Sequence, residues 1–125
     1  MPQADKQSSY NFIDLFAGAG GLSEGFLQAG FSPVAHVEMN EYAAKTLETR
    51  SAYYYLKNAG NLAPYKQYLS GKISRDEFIQ PLPASVTKTI INETLSVETL
   101  PAVFRTIDDI MRMREIERID VIVGG

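Results

Sequence analysis

Glycine stands at positions 18, 20, 21 and 25, with the small residues Ala17 and Ala19 interleaved, and an acid, Glu38, follows eighteen residues beyond Gly20. Residues of these types at this spacing can hold the polar part of a small ligand. Glycines let the main chain turn sharply and approach a ligand with no Cβ in the way. A helix that starts at such a turn presents unpaired N–H groups, which suit an anionic or polar group. An acid ending the next strand can accept from both hydroxyls of a ribose, each charge-assisted bond contributing roughly 1.5–3 kcal/mol when shielded from water. The plain alternatives are a tight turn and a solvated, helix-capping acid. Three glycines within four positions exceed what a turn needs.

The flanking residues supply the elements that would position this set. Asn11 to Leu15 is a short apolar run suited to a buried strand, and Phe16 to Gly21 forms the turn. Leu22 to Ala29 follows with Leu22, Phe26 and Leu27 on one helical face and Gly30 as the stop. Val34 to Glu38 is a second strand, and Asn40 is a good N-cap for a helix from Glu41 with Ala43, Ala44 and Leu47 as its apolar stripe. Strand, glycine turn, helix, strand, acid is the layout of a nucleotide-binding half of an open α/β sheet.

Residues 51–87 read as a helical insertion, longer than a usual connection. Tyr53 to Leu56 extends the second helix, which ends at Asn58 to Gly60; Pro64 to Leu69 forms a turn or two closed by Gly71. Ser74 to Glu77 fits a capping box, and Pro81 and Pro83 then break the chain. Thr87 to Asn92 has β-branched character and is expected as the third strand. Thr99 is placed to cap a helix that carries Pro101 in its first turn, runs to about Glu115, and repeats Val103, Phe104, Ile107, Ile110 and Met111 at helical spacing. Asp120 to Val123 is the fourth strand. The order β-α-β-α-insertion-β-α-β argues for an α/β fold with a parallel, right-handed, doubly wound sheet.

The dinucleotide fingerprint G-x-G-x-x-G would need glycine where this chain has Ser23, which weakens a nicotinamide or flavin reading. By contrast, Asp14-Leu15-Phe16-Ala17-Gly18-Ala19-Gly20-Gly21 resembles the first signature of the DNA cytosine-5 methyltransferases, their S-adenosylmethionine loop. The likeness continues through Gly25-Phe26, Ala29-Gly30-Phe31, Val37-Glu38-Met39-Asn40 and Ala43-Ala44. The final Asp120 to Gly125 resembles the strand leading into that family's Pro-Cys catalytic loop. The middle of the chain is not covered. The resemblance implies a Rossmann-like S-adenosylmethionine-dependent methyltransferase fold, here as a partial sheet with an insertion at about 51–87. Residues 1–125 are then expected to be the N-terminal half of a methyltransferase catalytic domain.

It also implies a cofactor site. Phe16 lies against the adenine, Ala17, Gly18, Gly20 and Gly21 form the loop, and the Leu22 backbone is near the methionine moiety. Glu38 takes the ribose, as its strand-end position also suggests, and Met39 flanks the adenine. The family's Asp-Ile after the third strand is missing. Asn92, Glu93 and Thr94 are the local candidates for the adenine amino group, followed by Leu95, and Glu93 with Leu95 is chosen. Asp109-Ile110 matches by letters but lies inside the amphipathic helix. Asp14 either holds the loop or touches the cofactor. Gly124 and Gly125 would let the catalytic loop approach cofactor and cytosine. His36 reads as a partly buried strand residue and Tyr53 to Tyr55 as packing. Arg112, Arg114 and Arg118, interleaved with Glu115 and Glu117, read as a solvated helix face.

With 125 residues, 45% of them hydrophobic, the chain is the size of one domain with ample core. It has no signal-like start and no run approaching a membrane span, so a cytoplasmic, non-membrane protein is expected. A net charge of −3 argues against this chain gripping DNA by itself. There is no cysteine, so no disulfide or thiolate metal site, and with one histidine zinc is not expected. The family's reaction begins with a cysteine thiolate attacking C6 of cytosine. The chain is therefore expected to be the cofactor-binding portion of a longer enzyme, inactive alone, with DNA contacted through a C-terminal part. The competing readings are a non-catalytic module that binds S-adenosylmethionine or a partner, and the disfavoured nicotinamide oxidoreductase. An uncovered fourth strand would invite self-association.

Overall fold

Phe12, Ile13 and Asp14 are sealed from solvent in the first strand, β1 (Asn11–Leu15), around which the sheet is laid out. The computed structural model describes residues 10–124. The polar start, Met1 to Ser9, and Gly125 lie outside the described residues. After β1 come α1 (Gly21–Gln28), β2 (Ser32–Glu38) and α2 (Glu41–Asn58). Three short helices follow, α3 (Ala63–Leu69), α4 (Arg75–Ile79) and α5 (Ala84–Thr87), then β3 (Ile90–Asn92), α6 (Leu100–Met113) and β4 (Val121–Gly124). The four strands form one sheet in the order β3-β2-β1-β4, and every pairing is parallel. This is the α/β, Rossmann-like arrangement expected, as a partial doubly wound sheet.

Alternation along the strands sends residues to two differently covered faces. Ile13, Ala35 and Val37 pack against α6, whose Val103, Ile107 and Ile110 recur at helical spacing and are buried. Phe12 and Asp14 meet α1 instead. The Phe12 ring stacks on Phe26 at 5.2 Å between centroids, and Asp14 accepts from the Ser23 hydroxyl. Helices on both faces are what a parallel sheet requires to bury itself.

Local signals place several boundaries. Asn40 Oδ1 accepts from the Ala43 N–H at 3.0 Å and starts α2. Ser74 and Glu77 form a reciprocal capping box at α4. The region 51–87 is helical and holds a small core of its own, built on Ala52, Leu56, Phe78 and Val86. Tyr53 packs on Tyr65 at 4.9 Å between centroids.

Two expectations need correction. The third strand begins at Ile90, not Thr87, because Pro83 opens one further helical turn that buries Val86 and ends at Thr87. Burial of Val86 outweighs the β-branched character of the threonines. Thr99 does not cap α6 with its side chain; its hydroxyl accepts from the Ser96 N–H at 2.9 Å and donates to the Thr94 carbonyl, closing the loop before the helix.

Candidate functional site

The chain runs from β1 through α1 to β2 on one side of the sheet and from β3 through α6 to β4 on the other. The carboxyl ends of β1 and β4 therefore border the crevice where open α/β sheets place ligands. The turn that follows β1 enters this crevice. Phe16 has φ +56°, a left-handed conformation uncommon for a residue with a side chain, and Gly18 and Gly20 are also left-handed. A Cβ on Gly20 would come within 2.9 Å of Leu47 Cδ2, so glycine is needed there for space as well as conformation. The Gly20 N–H closes the turn on the Ala17 carbonyl, and the Ala17 N–H bonds the Val37 carbonyl at 3.1 Å.

Glu38 is buried and joins two segments. Its Oε2 accepts from the Gly18 N–H at 2.6 Å and its Oε1 from the Asn40 N–H at 3.1 Å. It is not a solvated acid. A carboxylate offers about four acceptor positions, so two remain for a ligand's hydroxyls. Phe16, Leu22 and Met39 are all large, apolar and about half or more exposed around this turn. Gly124 brings the end of β4 beside Phe16, whose Cδ2 is 4.0 Å from where a Gly124 Cβ would stand. Apolar side chains next to a buried acceptor suit a ligand with a flat apolar base and a polyhydroxyl sugar.

Beneath the turn, Asp14 is fully buried and takes the Ser23 hydroxyl on Oδ2, while Oδ1 has no partner among the described residues. Burial pushes the Asp14 carboxyl above its usual range; the Ser23 hydrogen bond opposes this and the nearby Glu38 charge adds to it. Asp14 thus ties the turn to α1.

Beyond β3, the Glu93 N–H bonds the Glu38 carbonyl at 3.1 Å, and its side chain is exposed and turned back onto the Thr94 N–H. Leu95 packs against the core shared by β2 and α6. Asn92 bridges the Glu38 and Met39 carbonyls through Nδ2 at 2.9 and 3.1 Å, so it holds the end of β2 in place. Asp109 is exposed and pairs with Arg112. Ser23 gave only a departure from the dinucleotide fingerprint in sequence; an inward-facing acid at a strand end, needing a donor, is the signal that points to it. No group of three or more His, Asp or Glu able to hold a metal occurs among the described residues.

Residues 10–64 match the family model for C-5 cytosine-specific DNA methylase. That stretch spans β1, the glycine turn, Glu38 and α2, a little under half of the chain. Among curated relatives, the type II methyltransferase M.Bpa9945I of Bacillus paralicheniformis is 51% identical over 57 residues, 46% of this chain and 13% of the relative. The putative type II methyltransferase M.MjaORF1200P of Methanocaldococcus jannaschii is 58% identical over 33 residues, 26% of this chain and 9% of the relative. The type II methyltransferase M.PspPI of a Psychrobacter species is 54% identical over 39 residues, 31% of this chain and 9% of the relative. The matched stretches thus span 9 to 13% of these relatives' own lengths. No solved structure matches the chain significantly.

Proposed function

We propose that this chain is the cofactor-binding portion of a DNA (cytosine-5) methyltransferase of the restriction-modification type, binding S-adenosylmethionine at the carboxyl edge of the sheet. The observation that carries the reading is the buried Glu38 carboxylate, bonded to the Gly18 N–H beneath a left-handed glycine turn, in a stretch that matches the family. When bound, S-adenosylmethionine supplies an electrophilic methyl group on a sulfonium. The chain's own residues bind and orient it. Glu38 accepts from the ribose hydroxyls, and Phe16 and Met39 flank the adenine. Ala17, Gly18, Gly20 and Gly21 let the main chain approach, with Leu22 beside the methionine end. Glu93 and Leu95 complete the adenine side.

The sequence contains no cysteine, so the nucleophile that attacks cytosine in this family cannot come from this chain. The chain by itself is therefore expected to bind the methyl donor without methylating DNA, with DNA engaged through other parts of a longer enzyme. No helix among the described residues is long and apolar enough to cross a membrane. Calorimetric titration of S-adenosylmethionine and S-adenosylhomocysteine tests the site. Saturable binding that Glu38→Ala abolishes supports it, and binding indifferent to that change sinks the assignment. Transfer of labelled methyl to cytosine by the chain alone would overturn the division of roles.

The outer edge of β4 carries no partner strand among the described residues. We propose that copies of the chain associate through this edge, as unpaired strands do when their side chains are apolar.

A further inference from the structure

A cavity of about 200 Å³ opens over β2, between α1 and α2, with Gly20 of the turn on its wall. Its wall includes Leu27, Pro33 and Leu47, so it is largely apolar, with three nitrogen-bearing side chains set into it, of which Arg50 is already paired with Glu24. One of the other two is His36, 7% exposed, whose Nδ1 is sealed and has no partner among the described residues. Burial holds this imidazole down to about 4, so it is neutral near pH 7. A buried N–H lacking an acceptor is rarer and costlier than a bare lone pair, which places the ring proton on Nε2.

The second side chain is Arg114, just past the end of α6. One of its N–H groups donates from Nη1 to the Pro33 carbonyl at 2.8 Å, and no carboxylate pairs with it among the described residues. Lost solvation pulls its pKa down, the mark of a cation drawn partly out of water without a counter-charge. The residue as a whole stays exposed, so the guanidinium lines the cavity from its solvent side. Glu24, also on the wall, does not oppose an anion strongly, because Arg50 pairs with it at 3.1 Å and the Tyr54 hydroxyl donates to it.

We propose that this cavity binds a small carboxylate with an apolar body, its anion held by the Arg114 guanidinium and the His36 Nε2–H and its body against Leu27, Pro33 and Leu47. The site does not depend on the methyl-donor reading, and its test involves no S-adenosylmethionine. His36 is the chain's single histidine, so its ring resonances report on the cavity without assignment ambiguity. Benzoate is titrated at pH 7, with benzamide as the neutral isostere, against the parent chain, Arg114→Gln and Arg114→Lys. The expected result is a saturable His36 shift with benzoate. Apparent affinity should fall at least about tenfold with benzamide or Arg114→Gln, roughly the loss of one charge-assisted bond, and recover partly in Arg114→Lys. Absence of a saturable shift, or equal binding of benzamide and benzoate, overturns the proposal. If Arg114→Gln does not fold, the benzoate and benzamide comparison on the parent chain decides.

Discussion

The Gly18 N–H donates to Glu38 Oε2 at 2.6 Å, so the turn after β1 and the end of β2 are fixed to each other by one carboxylate oxygen. The same group holds the Asn40 N–H through its other oxygen. Glu38 is consequently part of the scaffold before any ligand arrives, and its remaining lone pairs are aimed by bonds already made. Preorganisation of this kind lowers the ordering cost of binding.

Glu38→Gln weakens both roles, to different extents. The amide oxygen can still accept from one main-chain N–H, but the negative charge and half the acceptor capacity are lost. Affinity for S-adenosylmethionine is expected to fall roughly 10- to 150-fold, the equivalent of about 1.5–3 kcal/mol, and the unfolding midpoint to fall as well, because one main-chain N–H then faces the amide NH2. Calorimetry paired with urea denaturation reads both. Unchanged affinity in a folded variant would remove Glu38 from the site.

The glycines of the turn are not equivalent. Gly20 has φ +94°, and a Cβ there would lie 2.9 Å from Leu47 Cδ2, whereas Gly21 has no positive φ and nothing within 4 Å of the added atom. Gly20→Ala is expected to destabilise the chain by about 1–3 kcal/mol, combining strain and overpacking. Gly21→Ala, at the start of α1, should be neutral or stabilising by up to about 1 kcal/mol. Urea midpoints compare them, and equal losses at the two positions would contradict the turn geometry.

Features carried by adjacent residues were readable from the sequence. The Asn40 cap, the Ser74 and Glu77 capping box and the α6 stripe of Val103, Ile107 and Ile110 each depend on residues within two turns of one another. The spacing from the glycines to Glu38 was readable for a related reason, since one strand–helix–strand unit brings them together. What stayed hidden depends on distant partners. Thr87 looks strand-like until Val86 is seen buried against Ala52 and Leu56. Arg114 is exposed as its charge-interleaved surroundings suggest, and only its bond to the Pro33 carbonyl, eighty-one residues away, was hidden.

His36 makes stability depend on pH. Its folded pKa of about 4 lies below the ordinary value of 6.5, so the unfolded chain binds more protons between those limits. Stability from keeping this ring neutral is fully present above about pH 6.5 and is lost as pH falls toward 4, by about 3 kcal/mol in all. Asp14, with a raised pKa, pulls the other way at the acid end, but it is common to the parent and a His36→Gln variant. The difference in unfolding free energy between the two should therefore shift in favour of His36→Gln as pH is lowered from 7 to 4. A difference that stays constant across that range would mean the imidazole is solvated and titrates normally.

β4 pairs with β1 on one side, from Phe12 with Val121 to Leu15 with Gly124, and its other edge is unpaired among the described residues. Ile122 is 64% exposed on this strand, which adds an apolar side chain to a row of unsatisfied N–H and C=O groups. The chain should therefore form dimers or larger species as concentration rises, seen as a mass increase in light scattering. A lysine on an edge strand obstructs such pairing, so Ile122→Lys should move the distribution toward monomer. Phe104→Lys is the matched control: Phe104 is similarly exposed, at 57%, but lies on α6, away from the strand edge. If both variants reduce association equally, general apolar exposure and not the edge is responsible. A parent chain that stays monomeric at the highest attainable concentration would remove the edge as an interface altogether.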